Sequence, residues 1–213
     1  MARYGRSPGP LIVVDGIDQS GKKTQTQLLA RRIRQKGVHC VAWNFPAYQT
    51  PIGRVLKAYL AGREQPDFHA VHLLYAANKW EVAKKVADQM EHGCVLVANR
   101  YTPSNLAYGV AHGLPLRWLR ALEVGLPKPT RVFILDVPIK TSFRRKERSR
   151  DVHEKDSAYL QNARRAYLRL ARKYHWRVVN GNADPLSVHE VIWKEVASVL
   201  KTDDIGAIRS MNR

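Results

Sequence analysis

Residues 10–26 constrain the fold of this chain more than any other part of the sequence. An apolar run at residues 11–14 is followed by Gly16, then by Gly21 and Lys22 at the spacing Gly-x-x-x-x-Gly-Lys, where a helical pattern begins. Glycines at this spacing permit a turn whose backbone N–H groups point into one concavity, and the following helix directs its positive end to the same place. The pattern predicts a phosphate-binding loop; the alternative is a glycine-bounded turn without a ligand.

One position departs from the usual form of such a loop. The residue after the lysine is commonly Ser or Thr, whose hydroxyl binds Mg²⁺. Here it is Lys23, and Thr24 lies one residue farther along the helix, so it does not occupy the equivalent place. The loop therefore predicts a di- or triphosphate ligand but leaves the metal ligands open.

Length and charge set further bounds. A chain of 213 residues favours one domain, large enough for a sheet with helices on both faces. The formal net charge of +18 suggests, on its own, a nucleic-acid or other polyanion partner. Half of this excess lies in residues 138–177.

The apolar segments indicate a cytoplasmic protein without membrane contact. They have the length of buried strands, well short of the ~20 residues that a membrane-spanning helix needs. Residues 1–6 lack an apolar signal core. Cys40 and Cys94 lie within apolar strand-like runs, which favours buried free thiols over a disulfide or a metal pair.

Strand-like and helix-like segments alternate along the chain. The predicted strands are residues 11–15, 38–43, 94–98, 131–137 and 176–179. The predicted helices are residues 22–36, 51–61, 68–91, 103–112 and 115–124, one beginning after 138, a long one ending near 175, and 185–200. Because the first strand ends in the phosphate loop, the alternation predicts a doubly wound α/β fold with a five-stranded parallel sheet and a site at the carboxyl ends of its strands.

Three other groups of residues suggest chemistry near that site. Asp18 lies in the loop itself, and Arg100 follows a predicted strand, where a guanidinium suits a bidentate phosphate contact. Tyr75 and Lys79 lie four residues apart on one helix face, so an aromatic ring and a cation are available to a nucleobase. Each has a structural alternative: a salt bridge for the arginine, a core aromatic for the tyrosine and a solvated charge for the lysine.

Taken together, these segments resemble the thymidylate kinase family of nucleoside monophosphate kinases. The matching segments are residues 16–25, 45–46, 72–81, 99–108, 125–129 and 150–154, in the family's order. Gly-Leu-Pro-Lys-Pro at 125–129 and Arg-Tyr-x-x-Ser-Asn-x-x-Tyr at 100–108 are more specific than the loop alone. The resemblance implies a three-layer P-loop kinase fold as a single domain over 1–213, with its core at about 10–200, a short mobile lid at about 144–155, a loose tail at 201–213 and a homodimer.

The implied activity is ATP-dependent phosphorylation of dTMP to dTDP. The residues expected to bind ATP are Gly16, Ser20, Gly21, Lys22, Lys23 and Thr24. Those expected to bind dTMP are Asp18, Phe45, Tyr48, Tyr75, Lys79, Arg100, Ser104, Asn105 and Tyr108. The expected catalytic residues are Asp18, Lys22, Arg100 and, in the lid, Arg148 and Arg150; Asp18 and Glu154 would bind Mg²⁺.

The resemblance also implies individual roles. Asp18 would meet the deoxyribose 3′-hydroxyl and the catalytic centre, and Arg100 would clamp the acceptor phosphate. Tyr75 would stack on thymine in place of the family's usual phenylalanine. Asn105 would contact the base edge, and the ring of Tyr108 would lie against a ribose 2′-hydroxyl.

Departures from the family pattern cluster at the metal. Asn99 stands where the family has an aspartate, which removes one negative charge near Mg²⁺. With Lys23 at the hydroxyl position, the carboxylates that remain are Asp15, Asp18 and Glu154. Lys79 replaces an arginine that usually reads the base, and because a lysine makes a point contact rather than a planar fork, base selectivity is expected to be weaker.

Two alternatives stay open at this point. One is a P-loop kinase for another nucleoside monophosphate. The other is a catalytically weak nucleotide-binding protein with a basic polyanion-binding face, which Lys23, Asn99 and the net charge of +18 favour. A shortage of aromatic residues among the basic ones argues against nucleic acid as its partner.

Overall fold

A computed structural model describes residues 7–63, 66–145 and 156–202. Its strands are β1 (Leu11–Asp15), β2 (Cys40–Asn44), β3 (Val95–Asn99), β4 (Arg131–Asp136) and β5 (Arg177–Asn180). Its helices are α1 (Lys22–Gln35), α2 (Pro51–Leu60), α3 (Phe68–Glu91), α4 (Thr102–Ala111), α5 (Leu116–Leu122), α6 (Ile139–Arg145), α7 (Ser157–Tyr174) and α8 (Pro185–Thr202).

The five strands form one parallel sheet in the order β2-β3-β1-β4-β5. Strand β1 lies at its centre and all five of its residues are buried, as its unbroken apolar run requires. The chain places β2 and β3 on one side of β1 and β4 and β5 on the other, so the strand order reverses at β1. The carboxyl end of β1 is therefore the switch point at which such sheets bind ligands, and the predicted fold is confirmed.

Helices cover both faces of the sheet. Ile12 and Val14 point to one face, where they pack with residues of α1 and α8 such as Leu29 and Ile192. Leu11 and Val13 point to the other face and belong to a second apolar cluster, which includes residues of α3, α4 and α7. The result is the three-layer arrangement that the sequence predicts.

Most predicted boundaries agree with the structure to within two residues. Helix α8 continues to Thr202, so the predicted tail begins two residues too early. The remainder of that tail, and the lid residues Arg148, Arg150 and Glu154, lie outside the described residues.

Two further expectations concern the cysteines and the membrane. Cys40 and Cys94 are buried free thiols, and burial raises the pKa of Cys40 to about 12. Among the helices described, none is long and apolar enough to cross a membrane.

Candidate functional site

The loop between β1 and α1 takes a shape that only glycine allows at its two ends. Gly16 has φ 139° and Gly21 has φ 97°, both in the region that favours glycine. A Cβ at Gly16 would lie 2.6 Å from the carbonyl oxygen of Leu135. Since Gly21 precedes α1 and carries no side chain to cap it, the first amides of that helix stay available to a ligand.

Polar groups of the same loop converge on one cleft, here called the donor cleft. It is lined by Asp18, Gln19, Ser20, Gly21, Lys22, Lys23, Thr24, Gln25, Asn99, Arg100, Arg145, Gly181, Ala183, Pro185 and Val188. Lys22 is buried, and its ammonium donates to the carbonyl of Ile17 over 2.6 Å. Within the described part of the chain, the buried hydroxyl of Ser20 has no hydrogen-bond partner. An ammonium, a free hydroxyl and uncapped amides together form an anion site, with all six predicted ATP-binding residues in or beside it.

A second cleft, here called the acceptor cleft, adjoins the first. Its lining includes all nine residues predicted to bind dTMP: Asp18, Phe45, Tyr48, Tyr75, Lys79, Arg100, Ser104, Asn105 and Tyr108. These residues come from the loop, the segment after β2, helix α3, the end of β3 and helix α4. Asp18 and Arg100 line both clefts, so they lie where the two join.

Asp18 and Arg100 form an ion pair at this junction. The backbone of Arg100 has φ 64°, an unusual conformation for a residue with a side chain. The other carboxylate oxygen of Asp18 accepts a hydrogen bond of 2.6 Å from the hydroxyl of Tyr108. The hydroxyl of Tyr108 thus orients the carboxylate of Asp18, and that carboxylate in turn positions the guanidinium of Arg100.

This geometry fixes the charge of the junction. Burial alone would raise the pKa of Asp18, but Arg100, Lys22 and the hydrogen bond from Tyr108 outweigh it, and the pKa lies well below its usual range. Burial, and then the charge of Asp18, raises the pKa of Tyr108. The carboxylate therefore stays ionised and the phenol stays protonated at neutral pH.

Asp15, one of the carboxylates that remain near the expected metal, is enclosed by hydrogen-bond donors of the protein. It is fully buried and accepts hydrogen bonds from the hydroxyls of Ser104 at 2.7 Å and Tyr167 at 2.8 Å. Its oxygens also accept from the backbone amides of Gly16 and Tyr101. Its lone pairs are used inside the protein, so Asp15 supports the loop rather than a metal.

Behind Lys79, one of the residues that line the acceptor cleft, lies Glu123, which sequence reasoning missed. Lys79 is only 4% exposed, and its ammonium lies 3.1 Å from the carboxylate of Glu123 and donates to the carbonyl of Tyr75 over 2.8 Å. The alternative of a solvated lysine is therefore excluded. The only sequence signal for Glu123 is its place two residues before the Gly-Leu-Pro-Lys-Pro segment at 125–129.

Asn105 is held in the same network. Its Nδ2 donates to Glu123 over 2.6 Å, and its Oδ1 lies 2.7 Å from Nδ1 of His72. Both ends of the amide already have protein partners, so its contact to a base edge stays a prediction.

Helix α6 braces the phosphate loop. The hydroxyl of Ser142 donates to the carbonyl of Asp18 over 2.8 Å. The guanidinium of Arg145 donates to the carbonyl of Gln19 over 3.1 Å and to that of Gly181 over 2.9 Å. Sequence reasoning placed Arg145 within the lid but did not single it out, because nothing in its local sequence distinguishes it from the neighbouring arginines.

Comparison with known proteins assigns the family. The sequence model described as Thymidylate kinase matches residues 14–192. The chain belongs to the thymidylate kinase family. This agrees with the motifs on which the sequence analysis based its prediction.

Individual thymidylate kinases extend the match over most of the chain. The human thymidylate kinase is 32% identical over 187 residues, which are 86% of this chain and 88% of that protein. The Arabidopsis thaliana thymidylate kinase is 38% identical over 129 residues, and the match spans 61% of this chain and about half, 49%, of that longer protein. The solved thymidylate kinase of Candida albicans superimposes with a TM-score of 0.81 at 25% identity and covers 90% of this chain and 92% of its own.

Proposed function

We propose that this protein transfers the terminal phosphoryl group of ATP to dTMP and releases dTDP and ADP. The observation that carries the proposal is that Asp18 and Arg100 line both clefts. A donor phosphate on the loop and an acceptor phosphate beside Arg100 would meet at this pair. Phosphoryl transfer needs positioning and positive charge around the moving group, and both are available at the junction.

On the donor side, the loop amides and Lys22 would bind the ATP phosphates. Lys22 now donates to the carbonyl of Ile17, so its ammonium would exchange that neutral partner for phosphate oxygens. The hydroxyl of Ser20 is buried in the same cleft, and among the described residues it has no competing partner. The lid arginines Arg148 and Arg150 remain predicted catalytic residues.

On the acceptor side, Arg100 would clamp the dTMP phosphate and Asp18 would meet the deoxyribose 3′-hydroxyl. Tyr75 would stack on thymine, and Lys79 would approach its edge as a single-point donor. Phe45, Tyr48 and Tyr108 line the same cleft and would complete an aromatic wall around the sugar and base. Since Lys79 is already bound by Glu123, its position in the cleft is fixed before the substrate arrives.

A magnesium ion fits this site as an ion carried by the nucleotide. The described residues contain no cluster of three or more His, Cys, Asp or Glu side chains that could hold a metal. One neutral oxygen ligand is available, because Oδ1 of Asn99 is buried in the donor cleft and, within the described residues, has no hydrogen-bond partner. Asn99 and Asp18 would hold the ion together with ATP oxygens; when bound, it neutralises charge that develops on the phosphates.

The proposed activity is tested by product formation. The purified protein is incubated with ATP, Mg²⁺ and each of dTMP, dUMP, UMP, CMP, AMP and GMP, and the nucleotides are separated chromatographically. Faster conversion of dTMP than of any other acceptor is the expected result. If another monophosphate were converted faster, that nucleotide would be assigned as the substrate in place of dTMP. Folded protein that binds ATP but converts no acceptor would overturn the proposal in favour of a binding protein.

We also propose that the chain works as a single-domain cytoplasmic homodimer. Leu73 and Trp80, seven residues apart on one face of α3, are 48% and 46% exposed, and large apolar side chains in such a row suit a helix-to-helix interface. Sedimentation equilibrium tests this. A dimeric wild type and a monomeric Leu73→Glu variant are expected, and a monomeric wild type would contradict the proposal.

A further inference from the structure

A basic groove opens on the protein away from both clefts. It lies between the C-terminal end of α7 and the amino ends of β4 and β5, and its volume is about 860 Å³. Its basic and aromatic lining consists of Arg131, Arg172, Tyr174, His175, Trp176 and Arg177. Among the described residues, none that lines this groove lines the donor or the acceptor cleft. The proposed kinase reaction therefore makes no use of it.

The groove presents cations that the protein itself leaves largely uncompensated. Arg177 is paired with Glu195 over 2.7 Å. Within the described residues, neither Arg131 nor Arg172 forms an ion pair, and both are exposed. Positive charge in a concave surface raises the local potential and attracts anions. The groove is thus a place where part of the net charge of +18 is concentrated.

Aromatic rings lie among these cations. Tyr174 and Trp176 have ring centroids 5.3 Å apart with an interplanar angle of 33°. Arg120 lies 5.8 Å and Lys173 lies 5.9 Å from the centroid of the Tyr174 ring. The hydroxyl of Tyr174 is buried, and no described residue bonds to it. The sequence run Arg-Lys-Tyr-His-Trp-Arg at 172–177 is thus a local exception to the shortage of aromatic residues among the basic ones, because here rings and cations lie side by side.

We propose that the basic groove binds single-stranded nucleic acid. Arg131 and Arg172 would contact phosphates, and the rings of Tyr174 and Trp176 would stack on bases, the combination that sequence-tolerant single-strand binding uses. A concave groove with aromatic rings fits a strand with exposed bases better than a flat membrane surface or a duplex. The proposal does not depend on the kinase activity, since the two use different residues.

The test measures fluorescence anisotropy of a labelled oligodeoxyadenylate of about 12 nucleotides with a free 5′-hydroxyl. The wild-type protein is expected to bind it at low salt, equally well with and without saturating dTMP and ATP. The double variant Arg131→Ala/Arg172→Ala should bind about tenfold more weakly, and the slope of log affinity against log salt should fall by about 1.4. The single variant Arg131→Ala gives a smaller change of the same sign if the double variant is unstable.

Two comparisons separate this proposal from a general effect of charge. The control Arg31→Ala/Lys36→Ala removes two exposed cations, one on α1 and one at the residue after it, outside the groove, and should change affinity less than twofold. An abasic oligomer of the same length should bind more weakly than the oligodeoxyadenylate, and Tyr174→Leu should reduce that difference, since only the Trp176 ring remains. Equal losses in the two double variants, equal affinity for the abasic oligomer, competition by dTMP and ATP, or no binding by the wild type would each overturn the proposal.

Discussion

Glu123 holds Lys79 in a buried ion pair at the base end of the acceptor cleft, with 3.1 Å between Oε1 and Nζ. The two side chains are only 7% and 4% exposed. The same carboxylate oxygen accepts a hydrogen bond from Asn105. One carboxylate therefore positions two of the residues expected to face the nucleobase, and its removal would leave a buried ammonium without a counter-charge.

We predict that Glu123→Gln lowers the free energy of unfolding by about 3 kcal/mol and raises KM for dTMP more than it lowers kcat. The base end is disturbed while the reacting phosphates, at the other end of the cleft, are not. Urea unfolding and steady-state kinetics measure the two effects. The control is Asp88→Asn on α3, the helix that carries Lys79; the partner of Asp88, Lys84, is 88% exposed, so this change should lower stability far less than Glu123→Gln. Wild-type stability and KM in Glu123→Gln would show that the pair has no positioning role.

The second prediction concerns Asp18 in catalysis. Asp18→Asn keeps the size of the side chain but weakens its hold on Arg100 and removes the carboxylate from the junction. A fall in kcat of about 100-fold or more is expected, while ATP still binds to the loop amides. Single-turnover kinetics and an ATP titration by calorimetry check these two parts. Near-wild-type turnover would remove Asp18 from the mechanism.

The third prediction uses the lowered pKa of Asp18. A carboxyl whose pKa is lower in the folded than in the unfolded state stabilises the fold above its unfolded pKa and loses that contribution as pH falls through the folded pKa. The unfolded value is 3.8. The difference in unfolding free energy between wild type and Asp18→Asn should thus be constant from about pH 5 to 8 and shrink below about pH 4. Urea unfolding at a series of pH values measures it, and a difference that grows in acid would contradict the ion pair.

The sheet and the phosphate loop could be predicted because consecutive residues encode them. The apolar run of β1 specifies a strand buried on both faces, and Gly16 and Gly21 specify the turn after it. The nine acceptor-cleft residues could be predicted because they belong to family motifs, and the residues of those motifs lie close together in the folded protein. Local patterns and motif spacing thus account for the architecture and for most of the cleft lining.

The missed features are contacts between segments distant in sequence. Tyr167 bonds to Asp15 across 152 residues, and neither residue indicates the other by its local pattern. The hydrogen bonds that occupy Asp15 could not be predicted for this reason, since their donors come from the phosphate loop, the residue before α4, and helices α4 and α7, which only the fold brings together. The pairing of Lys79 with Glu123 escaped prediction in the same way.

The fourth prediction is that Mg²⁺ binding depends on Asn99 and not on the hydrogen bonds of Asp15. Tyr167→Phe removes one buried donor to Asp15 and should cost about 1–2 kcal/mol of stability, yet leave the Mg²⁺ concentration for half-maximal rate unchanged. Asn99→Ala removes the buried oxygen of the donor cleft and should raise that concentration severalfold. Initial rates against free Mg²⁺ at saturating ATP distinguish the two variants. If the Mg²⁺ concentration for half-maximal rate changed with Tyr167→Phe and not with Asn99→Ala, Asp15 rather than Asn99 would be assigned to the metal.

The last prediction sets helix propensity against packing at Gly53 in α2. In an exposed helix, replacing glycine by alanine stabilises by about 1 kcal/mol. At Gly53, however, a Cβ would lie 1.9 Å from the carbonyl oxygen of Ala47, in the segment that carries Phe45 and Tyr48 to the acceptor cleft. Overpacking of this kind costs about 1–3 kcal/mol, and here the obstacle is backbone rather than a flexible side chain.

The cost of overpacking should therefore exceed the gain in helix propensity. We expect Gly53→Ala to lower the melting temperature and also to raise KM for dTMP. Gly37→Ala is the control: its Cβ would meet nothing within 4 Å, but its φ of +79° makes alanine strained, so it should lose stability with KM unchanged. Thermal unfolding measures the melting temperature of both variants, and steady-state kinetics measures their KM for dTMP. A stabilised Gly53→Ala with wild-type KM would mean that α2 can move away from the 45–48 segment without disturbing the cleft.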